Sequence, residues 1–197
     1  MSSAVPTLFV SKKEVRAYPI IGLAAELCGT IFIDRDKSVA GQNIASEMDE
    51  ALLDGVCITF FPEGTTTDGS TVLRFRAALF SAPVRLHLPI HPAAIRYTIP
   101  GQEQGAGDPA ELVCYWGDMH LIPHALRLLT LPRVDANLLF GTTALTPPRS
   151  GSGSQDTARD EVRNAAHQSR LLVQQLREQL GSPPLPGGAA LTAFLRS

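Results

Sequence analysis

The sequence predicts an α/β fold: a single domain with a mixed, partly parallel sheet flanked by helices. In the first 61 residues, β-rich runs alternate with stretches of helical periodicity, and residues 56–61 (VCITFF) form a continuous apolar run of strand length. Alternation of this kind is typical of parallel strands joined by helices. An apolar run of strand length is typical of a strand that is covered on both faces.

The first half of the chain is divided by its periodicity and its turn residues. A helix is closed at Gly29, and a second runs from an N-cap at Ser38 to a stop at Gly55, because glycine is favoured just after a helix. The predicted elements are, in order, strand 7–11, helical segment 12–29, strand 30–34, helix 38–54 and strand 56–61. The helical segment is interrupted and begins again at Pro19.

The second half of the sequence indicates more strands and two helices. The strands are expected at 88–98, 111–116 and 134–141, and a short helix at 124–131. Apolar residues at helical spacing between Val162 and Leu180 predict a terminal helix.

Composition limits the classes of protein. The chain has 197 residues, of which 44% are hydrophobic and 18% charged, and a formal net charge of −2. One domain with its own core is expected, and no overall field favours nucleic acid or an anionic membrane as a partner. Any attraction for an anion must be local. The three cysteines form no C-x-x-C pair, so neither a disulfide framework nor a zinc site is predicted. No apolar run reaches the roughly 18 residues of a membrane span.

The stretch from residue 60 to 75 (FFPEGTTTDGSTVLRF) predicts a ligand site. Glu63 stands in a Pro-Glu-Gly turn where a strand ends, which is the edge at which open α/β sheets bind ligands. Gly64 lets a ligand approach the backbone, and Thr65 with its two neighbouring threonines offers hydroxyls. These groups favour a phosphate or a polyol. A Ser/Thr turn with a solvated Glu63 is the alternative.

A cluster of arginines follows this stretch. No acidic residue lies between Asp68 and Glu103, and the interval holds Arg74, Arg76, Arg85 and Arg96. Because guanidinium groups bind phosphate through paired hydrogen bonds, the cluster favours a phosphorylated ligand. The alternative is that some of these arginines face water. The glycine spacing of residues 64–71 also resembles a nucleotide-binding P-loop, but Ser70 replaces its lysine.

Three sequence blocks resemble the glycerolipid acyltransferases, whose type member is 1-acylglycerol-3-phosphate acyltransferase. Residues 61–65 (FPEGT) resemble the family's F-P-E-G-T motif, residues 29–35 (GTIFIDR) its G-x-x-F-I-x-R block, and residues 88–92 (LPIHP) its fourth block. The resemblance covers about residues 6–98. It implies a glycerol-3-phosphate acyltransferase-like fold.

The resemblance also implies roles for residues. Arg35 would bind the phosphate of the acyl acceptor, and Glu63 and Gly64 would hold its glycerol-phosphate end. Thr65, which follows them in the motif, is a further candidate for binding. The family's arginine and serine are replaced by two threonines after FPEGT, so part of the phosphate binding is expected to fall to Arg74 or Arg76. The T-T-x-D-G continuation resembles the bacterial branch that includes lyso-ornithine lipid acyltransferases.

The activity implied is transfer of an acyl group from acyl-CoA or acyl carrier protein to the free hydroxyl of 1-acylglycerol 3-phosphate or a related lysolipid. No cofactor is implied. The protein is expected at the cytoplasmic face of the inner membrane, in contact with the membrane surface. A non-catalytic headgroup-binding module and a nucleotide-binding protein are the rival classes.

The catalytic motif of the family is missing from these residues. Its histidine accepts the proton of the acceptor hydroxyl and an aspartate five positions later orients it, but no histidine of this chain has an aspartate there. The motif precedes the block at 6–22, so we expect an N-terminally shortened acyltransferase, through a misplaced start or a deletion, that is poorly active alone. An upstream stop codon with no encoded motif would exclude the misplaced start.

The remaining candidates are expected to be structural. Two histidine pairs, His87 with His91 and His120 with His124, are four apart, but Pro89, Pro92 and Pro123 argue against shared helices and so against metal sites. Cys57 is expected in the core. Residues 121–132 could lie at a membrane interface, although a core-facing helix is favoured. The predicted division is acyltransferase-like domain 1–145 without its catalytic segment, linker 146–156, C-terminal helix 157–181 and disordered tail 182–197.

Overall fold

A computed structural model of the chain describes residues 7–18, 21–33, 48–100, 112–148 and 155–181. Within these residues a three-stranded sheet is parallel throughout, and a separate two-stranded sheet is antiparallel. Helices accompany both sheets. The predicted α/β class, with partly parallel strands and flanking helices, is confirmed.

The elements follow one another with short connections. Short 3-10 helices occupy Lys13–Ala17 and Ala77–Phe80. The strands and helices are β1 (Leu8–Lys12), α1 (Ile21–Leu27), β2 (Ile31–Ile33), α2 (described over 48–53), β3 (Ile58–Thr59), α3 (Ser81–Arg85), β4 (Ala93–Thr98), α4 (Leu121–Leu129), β5 (Asp135–Phe140) and α5 (Gln155–Gly181).

The chain separates into two compact units. The first comprises Met1–Gly64, Arg74–Ile90 and Leu145–Gln168, and the second comprises Thr65–Leu73, His91–Ala144 and Ser169–Ser197. The parallel sheet lies in the first unit and the antiparallel pair in the second. The domain boundaries that were derived from the sequence stay a prediction.

The first unit is built on β1, which is the central strand. Val10 pairs with Ile31 of β2, and Leu8 pairs with Ile58 of β3. Helix α1 ends as predicted at Gly29, whose φ is 69°, where Thr30 N donates to Ala25 O. That combination satisfies carbonyl groups at the end of the helix and requires a residue that tolerates positive φ.

The last strand of this sheet is shorter and more open than predicted. Only Ile58 and Thr59 of the run 56–61 are paired, and Cys57 and Phe61 are exposed. The prediction that Cys57 lies in the core is therefore wrong. The physical reason is that β3 is an edge strand of the described sheet, so it lacks a second neighbour, and the apolar run belongs partly to the turn that follows.

The core of the first unit is formed around two fully buried side chains, Met48 and Phe80, each 1% exposed. The other buried apolar residues of this unit are Ile33, Phe75, Leu79, Ala82, Val84 and Ala166. Most of them belong to the segment 75–84, which follows the predicted ligand stretch. The core therefore holds in place the segment that leads away from this stretch.

The second unit contains a regular antiparallel pair. Its register runs from Ala93 opposite Phe140 to Thr98 opposite Asp135. The predicted strand at 111–116 is not present: residues 112 and 113 are helical and residues 114–116 have no regular structure. The ring of Tyr115 lies 5.7 Å from that of His124 in α4, so this apolar segment packs beside a helix instead of pairing with a strand.

Helix α4 begins earlier than predicted and contains Pro123. A proline is tolerated in the first turn, because the N–H that it lacks would have no partner in the helix. His120 and His124 are therefore linked by a helical hydrogen bond, 3.2 Å from His124 N to His120 O, contrary to the argument from Pro123. Among the described residues no group of three or more His, Cys, Asp and Glu side chains could hold a metal ion.

The expectation that α4 faces the core is wrong for half of the helix. Leu121 and Leu128 are half-buried, whereas Ile122, Leu126 and Leu129 are exposed. The terminal helix α5 extends over 27 residues and begins two residues before the predicted boundary. In the parts of the chain that the structure covers, no helix is long and apolar enough to cross a membrane.

Candidate functional site

The Pro-Glu-Gly stretch forms a tight turn in the first unit. Gly64 N donates to Phe61 O at 3.2 Å, with Pro62 and Glu63 at the two central positions. Among the described non-glycine residues only His87 has a positive φ, so Glu63 is not left-handed and the turn is of type I. Proline at the second position and glycine at the fourth are the residues that this turn favours.

Arg76 is attached to this turn at two points. Its backbone N–H donates to Pro62 O at 2.8 Å. Its side chain lies on the backbone of Gly64: a Cβ added to Gly64 would lie 2.7 Å from Arg76 Cδ and closer still to Nε. Glycine is therefore needed at position 64 both for its φ of 71° and for the space that the arginine occupies. The turn that carries Glu63 also carries a cation.

Phe80 joins the two segments of the site. Its ring meets the ring of Phe60 edge-on with centroids 5.2 Å apart, and stacks on that of Phe75 at 6.3 Å. Phe60 stands two residues before Pro62, and Phe75 directly precedes Arg76. Because Phe80 is 1% exposed, a buried aromatic contact fixes the distance between the turn and Arg76.

Two of the other arginines of the predicted cluster have partners outside the turn. Arg85 forms an ion pair with Asp49 at 2.5 Å, and Arg96 donates from Nη1 to Leu180 O at 2.7 Å, at the end of α5. Arg74 is exposed, and no hydrogen bond or ion pair within the described residues engages its side chain. Of these four side chains, that of Arg76 contacts the turn, and those of Arg85 and Arg96 have the partners named above.

The loop after the turn, residues 65–73, belongs to the second unit and is held by hydrogen bonds among its own residues. Gly69 N donates to Thr67 Oγ1 at 3.1 Å, and Ser70 donates to Asp68 Oδ1 from both N, at 2.9 Å, and Oγ, at 2.7 Å. These two bonds from Ser70 lower the pKa of Asp68 below its usual value. A P-loop would aim its amides at a phosphate, whereas two of them here are taken by side chains. Thr65 and Thr66 are exposed.

Two arginines of α5 hold this loop, and sequence reasoning missed both. Arg170 donates from Nε to Leu73 O and from Nη2 to Val72 O, each at 2.9 Å. Arg177 donates from Nη2 to Ser70 O at 2.5 Å. They are seven residues apart, so they lie on one face of the helix. Their separation in sequence from the loop, about 100 residues, left no local signal to find them.

Replacing Arg170 by methionine is expected to loosen the loop. The substitution keeps the apolar stem but removes charged donors from two carbonyl groups, a loss of about 1.5–3 kcal/mol in the free energy of unfolding. Urea unfolding measures the loss, and amide hydrogen exchange at 65–73 should become faster. Arg163→Met is the control, because among the described residues Arg163 pairs only with exposed Asp160. This variant should change neither quantity. Unchanged exchange in Arg170→Met would contradict the assignment.

Arg35, the predicted phosphate ligand, lies outside the described residues. The structure brings Arg76 onto the turn that contains Glu63 and Gly64, whereas within the described residues Arg74 has no hydrogen bond or ion pair with that turn. The roles of these residues in binding, including that of Thr65, stay predictions.

The first unit combines a parallel sheet with a turn, after one of its strands, that carries Glu63 and contacts Arg76. It therefore has the form of an α/β fold that binds a ligand at the edge of its sheet. The family model that describes acyltransferases matches residues 1–96. The chain is 29% identical over 190 residues to the lyso-ornithine lipid O-acyltransferase of Rhizobium meliloti and 32% identical over 187 residues to that of Brucella abortus, matches that cover 91% and 90% of this chain. This chain belongs to the acyltransferase family.

Other relatives match a smaller part. The 1-acyl-sn-glycerol-3-phosphate acyltransferase of Neisseria gonorrhoeae is 33% identical over 97 residues, which cover 49% of this chain and 38% of that protein. The crystal structure of the 1-acyl-sn-glycerophosphate acyltransferase of Thermotoga maritima is 18% identical in sequence to this chain, with a TM-score of 0.47. The alignment covers 91% of this chain and 59% of the Thermotoga chain. The chain spans 60% of the length of the Rhizobium relative and 69% of the Brucella one.

Proposed function

We propose that this chain binds the headgroup of a lysolipid for acyl transfer from acyl-CoA or acyl carrier protein to the lysolipid hydroxyl. The observation that carries the proposal is the position of Arg76 on Gly64, beside Glu63, in the motif that resembles F-P-E-G-T. A guanidinium at this turn can bind an anionic headgroup through paired, charge-assisted hydrogen bonds. The carboxylate accepts hydrogen bonds from hydroxyl or ammonium groups.

A lyso-ornithine lipid is the acceptor that we favour. The relatives that match about nine tenths of this chain carry that name, and the T-T-x-D-G continuation resembles the same branch. An ornithine headgroup carries a carboxylate and an ammonium group. Arg76 suits the first and Glu63 the second, since each would meet an opposite charge.

1-Acylglycerol 3-phosphate is the second candidate. Acyltransferases for it match about half of this chain. Its phosphate suits Arg76, but the headgroup has no cation for Glu63. The two acceptors therefore predict different effects of removing the charge of Glu63.

The transfer forms an ester C–O bond and breaks the thioester C–S bond. The hydroxyl proton leaves as the oxygen attacks, and the thiol of coenzyme A or of the carrier protein is released. An attacking hydroxyl needs a proton acceptor near neutral pH. We assign acceptor binding to this chain and assign the role of proton acceptor to none of its residues, so the first test is of binding and not of turnover.

Calorimetric titration of the two lysolipids, in short-chain forms, tests the proposal. Arg76→Gln should weaken binding of both by about 10-fold to 100-fold, because a charged donor is lost. Glu63→Gln should weaken only lyso-ornithine lipid by a similar factor, because the amide still accepts hydrogen bonds from hydroxyls. Arg74→Gln is the matched control, two residues from Arg76 and without a hydrogen bond or ion pair within the described residues, and should change little.

The outcomes separate the alternatives. Equal binding by wild type and Arg76→Gln would contradict the proposal. Equal weakening of both acceptors by Glu63→Gln would remove the preference for lyso-ornithine lipid. A rival function, a headgroup-binding module without catalysis, is distinguished by an acyl-transfer assay with labelled thioester. Because lysolipids reside in bilayers, we also propose that the protein works at a membrane surface, at the cytoplasmic face of the inner membrane.

A further inference from the structure

Helix α4 has apolar side chains on two faces, one of which is uncovered. Ile122, Leu126 and Leu129 recur at intervals of four and three residues, which aligns them along one side of the helix. They are 73%, 60% and 81% exposed, and no residue of α4 is fully buried. We call these three residues the outer stripe. A helix that is apolar on both sides is normally covered on both, so we expect the outer stripe to be covered by a binding partner.

An exposed tryptophan follows a residue that contacts this helix. Trp116 is 37% exposed and directly follows Tyr115, whose ring contacts His124 of α4. Tryptophan has an apolar ring and a polar N–H, a combination that is enriched where protein meets the boundary between lipid and water. Trp116 is therefore linked to α4 through its neighbour Tyr115, and it is a residue suited to that boundary.

The charges around the helix complement an anionic lipid. From Met119 to Val134 the chain has no acidic residue, but it has two arginines and two histidines. Arg127 is exposed in the last turn of α4, whereas Arg133 is paired with Asp135 at 2.7 Å. Arg127 therefore gives the last turn of α4 an exposed charge opposite in sign to that of an anionic lipid surface.

We propose that α4 docks on an anionic lipid bilayer, with the outer stripe and Trp116 inserted among the acyl chains and Arg127 among the headgroups. The inference rests on the proposed function, because a lysolipid acceptor and its diacyl product both reside in the bilayer. Docking through α4 would hold the chain at the surface where its acceptor is found. The contact is reversible, since a single short helix offers little apolar area.

A second copy of the chain fits this surface less well. The nine residues of α4 span only about 14 Å at 1.5 Å per residue. Stable protein interfaces bury about 800 Å² and engage roughly 20–30 residues on each partner. Three stripe residues and one tryptophan fall short of that, whereas a bilayer requires no matching surface.

Vesicle sedimentation of the full 197-residue chain tests the proposal. The wild type should pellet with vesicles of mixed phosphatidylglycerol and phosphatidylcholine. Leu126→Glu should lower the bound fraction about tenfold, because it places a carboxylate among acyl chains and anionic headgroups. Leu27→Glu is the matched control: Leu27 is 79% exposed at the end of α1, and its variant should bind as the wild type does.

Two further measurements locate the contact. Arg127→Gln should weaken binding to the anionic vesicles about fivefold, the effect of one cation near a charged surface, and leave binding to pure phosphatidylcholine unchanged. Trp116 is the sole tryptophan, so its emission should shift to shorter wavelength when vesicles are added to the wild type, and should stay constant in Leu126→Glu. Circular dichroism establishes that each variant is folded.

Vesicle binding by Leu126→Glu at the wild-type level would overturn the proposal. So would a fall in sedimentation coefficient from dimer to monomer in Leu126→Glu, since a second copy would then cover the stripe. Measuring the binding of short-chain lysolipid without vesicles tests the proposed function independently of the docking surface. This binding should depend on Arg76 and not on Leu126, so failure at Arg76 affects only the proposed function and failure at Leu126 only the docking surface.

Discussion

Replacing Gly64 by alanine should abolish measurable lysolipid binding. The new Cβ would overlap the stem of Arg76, at 2.7 Å from Cδ and closer to Nε, and the residue would have to adopt a φ of 71°. Arg76 must then leave the turn, or the turn must open. Because the guanidinium supplies the charge that binds the headgroup, we expect at least a 100-fold loss of affinity, comparable with deleting a charged hydrogen-bonding pair. Calorimetric titration with short-chain lyso-ornithine lipid measures it.

Gly69→Ala separates the two causes of this loss. Gly69 has a φ of 79°, but a Cβ built there meets no atom within 4 Å. It therefore suffers the same backbone strain, about 1–2 kcal/mol, without displacing an arginine. A small loss of stability with near-normal affinity is expected for Gly69→Ala. Equal affinities of the Gly64 and Gly69 variants would show that the position of Arg76 does not matter for binding.

Replacing Phe80 by alanine should cause the largest loss of stability. The side chain is 1% exposed and its ring contacts those of Phe60 and Phe75. Truncation of a buried phenylalanine leaves a cavity and costs about 3–5 kcal/mol in the free energy of unfolding. Chemical denaturation monitored by circular dichroism measures the change. Since the total stability of a domain is about 5–15 kcal/mol, the variant should be close to unfolding at 37 °C.

Phe61→Ala is the control for Phe80→Ala. Phe61 neighbours Phe60 in the sequence but is 57% exposed, so little apolar area is lost and the free energy of unfolding should fall by less than about 1 kcal/mol. At a temperature where Phe80→Ala remains folded, its affinity for lysolipid should also fall, because the ring joins the turn to the segment of Arg76. Normal affinity in folded Phe80→Ala would contradict that role.

Local signals in the sequence predicted much of the fold. Gly29 and Gly55 end helices, as glycine at positive φ does, and the strands around Val10, Ile31 and Ala94 lie where their apolar runs placed them. The strand expected at 56–61 was mostly wrong, because an apolar run does not distinguish a covered strand from an edge strand that leads into an apolar turn. The strand expected at 111–116 failed because Tyr115 packs on a helix.

The candidate site was predictable only in part. The turn at Glu63 followed from proline and glycine at fixed positions, and the arginine-rich interval pointed to a nearby cation. Sequence alone did not distinguish Arg76 from Arg85 and Arg96, because their partners, Asp49 and Leu180 O, are distant in the chain. Arg170 was missed for the same reason. Long-range pairing decides which cation reaches the turn, and no periodicity reports it.

The double attachment of Arg76 has a thermodynamic consequence. Immobilising a long side chain on binding commonly costs about 0.5–1.5 kcal/mol of entropy. Here the main-chain bond to Pro62 O fixes the backbone of Arg76 in the free protein, and the contact with Gly64 limits the positions of its side chain. The turn and Arg76 should therefore be pre-organised for headgroup binding, with the same backbone conformation before and after the lipid is bound.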